Sequence, residues 1–210
     1  MKVFFSLFFA AGLMFAVSAA QAQTAADIQQ IESYLNNIKT LKASFVQTAS
    51  NGNTSEGKLY IEKPNKIRME YDAPVNVLIV GDGDYIVYND KDLDQITHID
   101  YDDIPASLIL SNTIKIDGKK LKITDFYKDS GTTEAVLEYA DNKDIGPITL
   151  IFGNRPFELK QWKITDPQSV QITVSLYNAE KDEPCRITCL NSNSKKARSN
   201  LIKRDKNDCR

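Results

Sequence analysis

Residues 41–47 read L-K-A-S-F-V-Q, residues 57–71 read G-K-L-Y-I-E-K-P-N-K-I-R-M-E-Y, and residues 74–93 read P-V-N-V-L-I-V-G-D-G-D-Y-I-V-Y-N-D-K-D-L. In the middle phrase Leu59, Ile61, Ile67, Met69 and Tyr71 share one parity, while Lys58, Glu62, Arg68 and Glu70 share the other. Successive strand side chains point to opposite faces, so this pattern predicts two strands with one apolar and one charged face. The same alternation returns further on. Val170, Ile172, Val174 and Leu176 oppose Gln171, Thr173 and Ser175, and Ala135, Leu137 and Tyr139 oppose Glu134 and Glu138.

Turn residues divide these runs at Asn51-Gly52, Pro64-Asn65, Gly81-Asp82-Gly83, Asn89-Asp90, Asp117-Gly118, Ser130-Gly131, Asp141-Asn142, Gly153-Asn154 and Asp166-Pro167. That rhythm predicts a meandering antiparallel sheet. One concave apolar face is expected to line many strands, with a charged convex face in water. Such a face needs a cover. Thr24 with Asp27 forms a capping box, and Ile28, Ile31, Tyr34, Leu35, Ile38 and Leu41 then recur at helical spacing. A second, short helix is expected over Ile104–Leu110, capped by Asp102 or Asp103, with Pro105 in its first turn. The residues alone allow two readings of this arrangement: an ordinary dry core under two helices, or a cavity that the helices lid.

The start of the chain carries an export signal. Lys2 is the only charge before Asp27, an apolar run spans Val3 to Val17, and Ala20-Gln21-Ala22 forms the cleavage box. Residues 1–22 are therefore read as a cleaved signal peptide, 23–183 as one domain, and 184–210 as a basic tail. No other segment is apolar and long enough to span a membrane. The formal net charge is -2. From Cys185 onward eight basic residues stand against Asp205 and Asp208, so the tail is +6 and the rest is -8. An acidic body repels phosphate, which argues against nucleic acid as a partner. Cys185, Cys189 and Cys209 all lie in the tail, so the body folds without cysteine. The tail is polar and aperiodic and is expected to add little to stability.

Catalytic chemistry is sparse. His98 is the only histidine, and a lone histidine in a strand reads as structural. Asp90, Asp92 and Asp94 are spaced like the start of a calcium loop, but the glycine and glutamate that such a loop needs are missing. These acids read instead as a solvated hairpin turn. Asp100, Asp102 and Asp103 form a second acidic cluster. No nucleophile elbow, zinc-protease helix or phosphate loop is present. Neither an enzyme, nor a metal site, nor a cofactor is expected.

The phrases quoted above also resemble one family, the periplasmic carriers of outer-membrane lipoproteins (LolA). That family begins with an apolar helix and a phrase like L-x-A-x-F-x-Q, matched by Leu41 to Gln47. G-x-L-x-I/V-x-R-P-x-x-F-R-W follows, matched by Gly57 to Met69. Then comes I/L-V-x-D-G-x-x-x-W/V-x-Y, matched from Leu78 to Tyr88. The resemblance runs from Ile28 to Asn178. It implies an unclosed antiparallel β-barrel lidded by an N-terminal helix and a short inserted helix. It implies a monomeric periplasmic chaperone whose cavity takes lipoprotein acyl chains. The cargo would come from an ATP-driven release complex of the inner membrane and go to an outer-membrane receptor. A generic lipid shuttle and a structural β-module with a dry core are the alternatives.

On this reading Phe45, Leu59, Ile61, Ile67, Met69 and Tyr71 line the cavity and face Ile31, Leu35, Leu108 and Ile109. The family's arginine before proline is Lys63 here, which resembles a lid latch without the planar fork of arginine. The family's wall aromatics are Ile67 and Met69 here, and methionine adapts to irregular ligands. Lys63 has inward parity, so its ammonium needs acceptors. The carbonyls ending the Ile104–Leu110 helix, or its flanking loop, are the expected partners. After Pro184 the sequence does not resemble the family's final strand.

Overall fold

The computed structural model describes residues 24–166 and 169–182. The expected leader at 1–22 and the expected tail from 184, with its three cysteines, lie outside the described residues. One antiparallel sheet of eleven strands makes up the body. Its members are β1 (Thr40–Ala49), β2 (Thr54–Glu62), β3 (Lys66–Tyr71), β4 (Val77–Asp82), β5 (Ile86–Asp90), β6 (Gln95–Ile99), β7 (Leu121–Lys128), β8 (Thr132–Tyr139), β9 (Ile148–Asn154), β10 (Phe157–Thr165) and β11 (Gln171–Lys181). Across the sheet the order is β6-β5-β4-β3-β2-β1-β11-β10-β9-β8-β7. Two meanders are thus joined where β1 meets β11, and β6 and β7 are left as edges of an unclosed sheet.

Eight of the nine predicted turns fall at strand ends or between strands; of the ninth, Asp166-Pro167, Pro167 lies outside the described residues. A tenth, at Asp72-Ala73-Pro74 between β3 and β4, was not predicted. The alternation in β2 and β3 has the predicted sense: Leu59 faces Met69 and Ile61 faces Ile67 across the ladder, all buried. The convex face departs from expectation. Leu78 and Val80 of β4 point outward yet are buried, packed with Tyr60 in a second small apolar cluster. Arg68 lies in register with Tyr60 and Val80, and its guanidinium pairs with Glu70. The outer side of β3–β5 is therefore partly apolar. The run V-L-I-V at 77–80 has no alternation, so its sequence could not reveal this.

The first helix, α1 (Ala25–Asn37), begins as expected. Thr24 is the N-cap, and Asp27 closes the capping box. Asp27 also receives Lys128 Nζ from the end of β7, at 2.5 Å. This pair fastens the start of α1 to one sheet edge. The helix stops at Asn37, short of Leu41, which belongs to β1. Leu41 is buried through strand alternation with Ala43 and Phe45, so both periodicities put it inside.

The second cover is also shorter than expected. Tyr101–Asp103 form a single 3-10 turn, and α2 spans only Ser107–Leu110. No side chain among the described residues caps α2; its approach is a series of three-residue bonds, such as Ser107 N to Ile104 O. No described helix is long and apolar enough to cross a membrane.

The Lys128 bond, with help from Thr24, holds the Asp27 carboxyl down at about 2. A carboxylate with a depressed folded value stabilises the fold above its ordinary value of 3.8, and that contribution is lost as pH falls toward 2. Asp27→Asn should lower stability by about 1–2 kcal/mol at neutral pH. The difference from the parent should shrink between pH 4 and pH 2, which urea unfolding at several pH values will show.

Candidate functional site

The concave face and its two helices pack as one apolar body. Phe45, Leu59, Ile61, Ile67 and Met69 from the sheet join Ile31 and Leu35 of α1 and Leu108 and Ile109 of α2 in one buried cluster. Tyr71 sits half-buried at its margin, edge-on to Phe45 with centroids 5.1 Å apart. Its hydroxyl donates to Gln47 Oε1 at 2.8 Å. Gly57 makes room for this wall: a Cβ there would collide with the Glu70 carbonyl and come within 3.0 Å of the Phe45 ring. In this state the helices fill the concavity, so the expected lining residues are core.

Polar ties hold the cover down, and three of them gather on the turn between β2 and β3. Lys63 Nζ donates to the Leu35 carbonyl of α1 at 2.8 Å. Asn65 N donates to the Leu110 carbonyl at the end of α2 at 3.0 Å. The Tyr101 hydroxyl donates to the Asn65 carbonyl and accepts from Gly83 N at 3.2 Å. Three parts of the cover thus meet one three-residue turn, Lys63-Pro64-Asn65. A strap, residues 112–117, runs along α1. Asn36 exchanges two bonds with the Ile114 backbone, at 2.9 and 2.7 Å, and Glu32 accepts from Ile116 N at 2.5 Å.

The partner of Lys63 differs from expectation. Its ammonium bonds α1 rather than the end of the second helix. The physical reason is availability. The Leu110 carbonyl is taken by the Asn65 backbone, whereas Leu35 lies in the last turn of α1, where carbonyls lack helical partners and the dipole favours a cation. Burial lowers the Lys63 ammonium to about 8.

Tyr101 was missed by sequence reasoning. Burial raises its phenol to about 12, so it stays a neutral donor. It lies over Gly81, where any Cβ would collide with its hydroxyl and crowd Ile67. A glycine in β4 was the only local sign, and its partner is twenty residues away. Tyr101→Phe leaves the Asn65 carbonyl and Gly83 amide without this hydroxyl. It should cost about 1–2 kcal/mol and lower the melting temperature by a few degrees in a calorimetric scan.

The remaining candidates lie apart from this face. His98 is exposed on β6. Asp90 accepts from the amides of Asp92 and Leu93, at 3.0 and 3.1 Å, and Asp92 accepts from Asn76 at 2.6 Å, so these carboxylates shape a turn.

A one-sheet half-barrel with an apolar concavity and helices clasped at its rim defines a class of enclosing shells. Within that class, the chain belongs to the family of the outer membrane lipoprotein carrier protein LolA, whose profile matches residues 36–186. An outer-membrane lipoprotein carrier protein of Chromobacterium violaceum is 41% identical over 100 residues, 46% of this chain and 48% of that protein. One from Pseudomonas paraeruginosa is 28% identical over 171 residues, 77% of this chain and 78% of that protein. The chain spans about half the length of the first of these relatives. The fold is also similar to the crystal structure of an outer membrane lipoprotein-sorting protein domain from Vibrio parahaemolyticus. There the TM-score is 0.50 at 11% identity, covering 85% of this chain and 97% of that one.

Proposed function

We propose that this chain is a periplasmic, non-catalytic carrier that encloses the acyl chains of lipoproteins. It takes them from an ATP-driven release complex of the inner membrane and passes them to a receptor at the outer membrane. It acts as a monomer and needs no cofactor. The observation that carries the reading is the cover. Its grip on the sheet is apolar over the concavity, and much of its polar attachment converges on the β2–β3 turn. Family membership points the same way.

Magnitudes shape the mechanism. An acyl chain of about 14 methylenes gains roughly 11 kcal/mol on burial, at ~0.8 per group. Three chains would gain about 30 kcal/mol, beyond the practical ceiling for non-covalent binding of about 18–21. A carrier that kept all of this could not unload. Exposing Ile31, Leu35, Leu108, Ile109 and Leu110 costs roughly 10 kcal/mol in total, at about 2 per side chain. That is comparable to one acyl chain. Cover and cargo therefore compete for one apolar face, and loading is an equilibrium between a closed empty state and an open loaded one.

Two assays test the reading in sequence. A fluorescent fatty acid should bind and be displaced by unlabelled lipid; no binding would leave a structural module with a dry core. Inner-membrane vesicles loaded with radiolabelled lipoprotein, together with ATP, should then release label onto the chain. Lipid binding without such release would mean a general lipid shuttle.

A further inference from the structure

The two edges of the sheet are built differently. Edge β7 is blunted. Its ladder with β8 is bulged between Ile123 and Asp125, it carries Lys122, Asp125 and Lys128, and its end holds the start of α1. Such devices are how proteins keep an edge from pairing with another chain. Edge β6 lacks them. Gln95-Ile96-Thr97-His98-Ile99 pairs with β5 without a bulge and contains no proline, lysine, aspartate or glutamate. Its first four residues are exposed, with Ile96 at 46%.

Beside β6 the outer face is partly apolar. Ile96 continues a cross-strand row through Asn89 to Leu78, and His98 one through Val87 to Val80. Asn89 is only 4% exposed, and its Nδ2 has no partner among the described residues. Charge gathers at both ends of the strand. Asp92 and Asp94 lie exposed before it and Asp100, Asp102 and Asp103 after it, with Lys91 as the only lysine or arginine from 90 to 103. Leu93, between the first acids, is 71% exposed.

We infer that β6 is a strand acceptor for a basic partner. A protein segment adds antiparallel to the β6 edge, lays an apolar side chain beside Ile96, and places Lys or Arg at each end against the two aspartate groups. Backbone bonds supply affinity, and the flanking charges supply register and selectivity. The same charges disfavour a second copy of this chain, because antiparallel pairing of two β6 edges brings Asp94 of one against Asp100 of the other. The site lies at the edge and on the outer side, away from the lidded face. Failure of the lipid assays would therefore leave it standing.

The test uses the full mature chain and a capped, fluorescein-labelled peptide R-K-V-T-V-T-V-K-R, followed by anisotropy. Saturable binding is expected, weakening roughly tenfold or more between about 0.05 and about 0.5 M salt. A peptide with glutamates at the flanks, and the basic peptide N-methylated on alternate residues, should each bind at least about tenfold more weakly. Ile96→Lys, with a melting temperature matching the parent, should abolish binding, as should Thr97→Pro if it folds. Absence of binding by the basic peptide overturns the inference. So does equal binding by the N-methylated peptide, which would mean charge adhesion without strand addition. Sedimentation showing a dimer of the chain that Ile96→Lys dissolves would instead make the occupant a second copy, and would also overturn it.

Discussion

Ile67→Glu should abolish lipid uptake. Ile67 is 8% exposed on the concave side of β3, in register with Ile61, and sits in the cluster that also holds Leu35 and Leu108. A carboxylate there has no partner within an apolar wall. Seating an acyl chain against it requires stripping its water or protonating it, at several kcal/mol. Affinity for a fluorescent fatty acid should fall at least roughly a hundredfold, which corresponds to about 3 kcal/mol. The closed state suffers too, so the comparison is made where circular dichroism shows the variant folded. Ile67→Ala separates the two effects. It removes packing worth about 2–4 kcal/mol but adds no charge, and should keep its uptake. If the glutamate variant loads like the parent, the concave face is not where lipid goes.

The second large effect concerns pH. Lys63 is lowered to about 8 with the cover closed, against an ordinary value of 10.5. A base whose closed-state value is depressed favours that state less when charged than when neutral. The penalty is fully present below about 8 and is removed as pH rises toward 10.5. With the cover lifted, Lys63 returns to water and its ordinary value. The closed-to-open ratio should then rise about tenfold between pH 7 and pH 9, so uptake should weaken by the same factor. Lys63→Arg keeps the charge through this range and Lys63→Leu never has it. Both should flatten the pH profile. The measurement is fatty-acid affinity across that range for all three proteins. A profile that stays equally steep in the leucine variant would assign the dependence to another group and remove Lys63 from the latch.

Much of this arrangement was legible because local rules and tertiary needs agree. The Thr24–Asp27 box sits where a helix must start, and the parity of Leu59, Ile61, Ile67 and Met69 survives a hairpin because the turn keeps the register. What stayed hidden depends on distant pairs. Nothing near Lys63 says that the Asn65 backbone will take the Leu110 carbonyl first, leaving the lysine to find Leu35. Nothing near Tyr101 points to the empty space above Gly81. The second helix was overread because Ile104 to Leu110 is apolar but for Ser107. Hydrophobicity without period cannot separate one short helical turn from the loose turns leading to it.

Having two free edges also governs capacity. A closed barrel has a girth fixed by its number of strands and their stagger, so its lumen cannot grow without breaking a ladder. Here β6 and β7 do not pair, and α1 ties down the concave side, fastened by Asp27 to Lys128 of edge β7 and by Leu35 to Lys63 at the β2–β3 turn. Once those two fastenings let go, the sheet can flatten or curl about β1 and β11 with every strand pair intact. On the proposed function, its bore is then set by whatever it holds, so that one shell serves one acyl chain or three without any change of sequence.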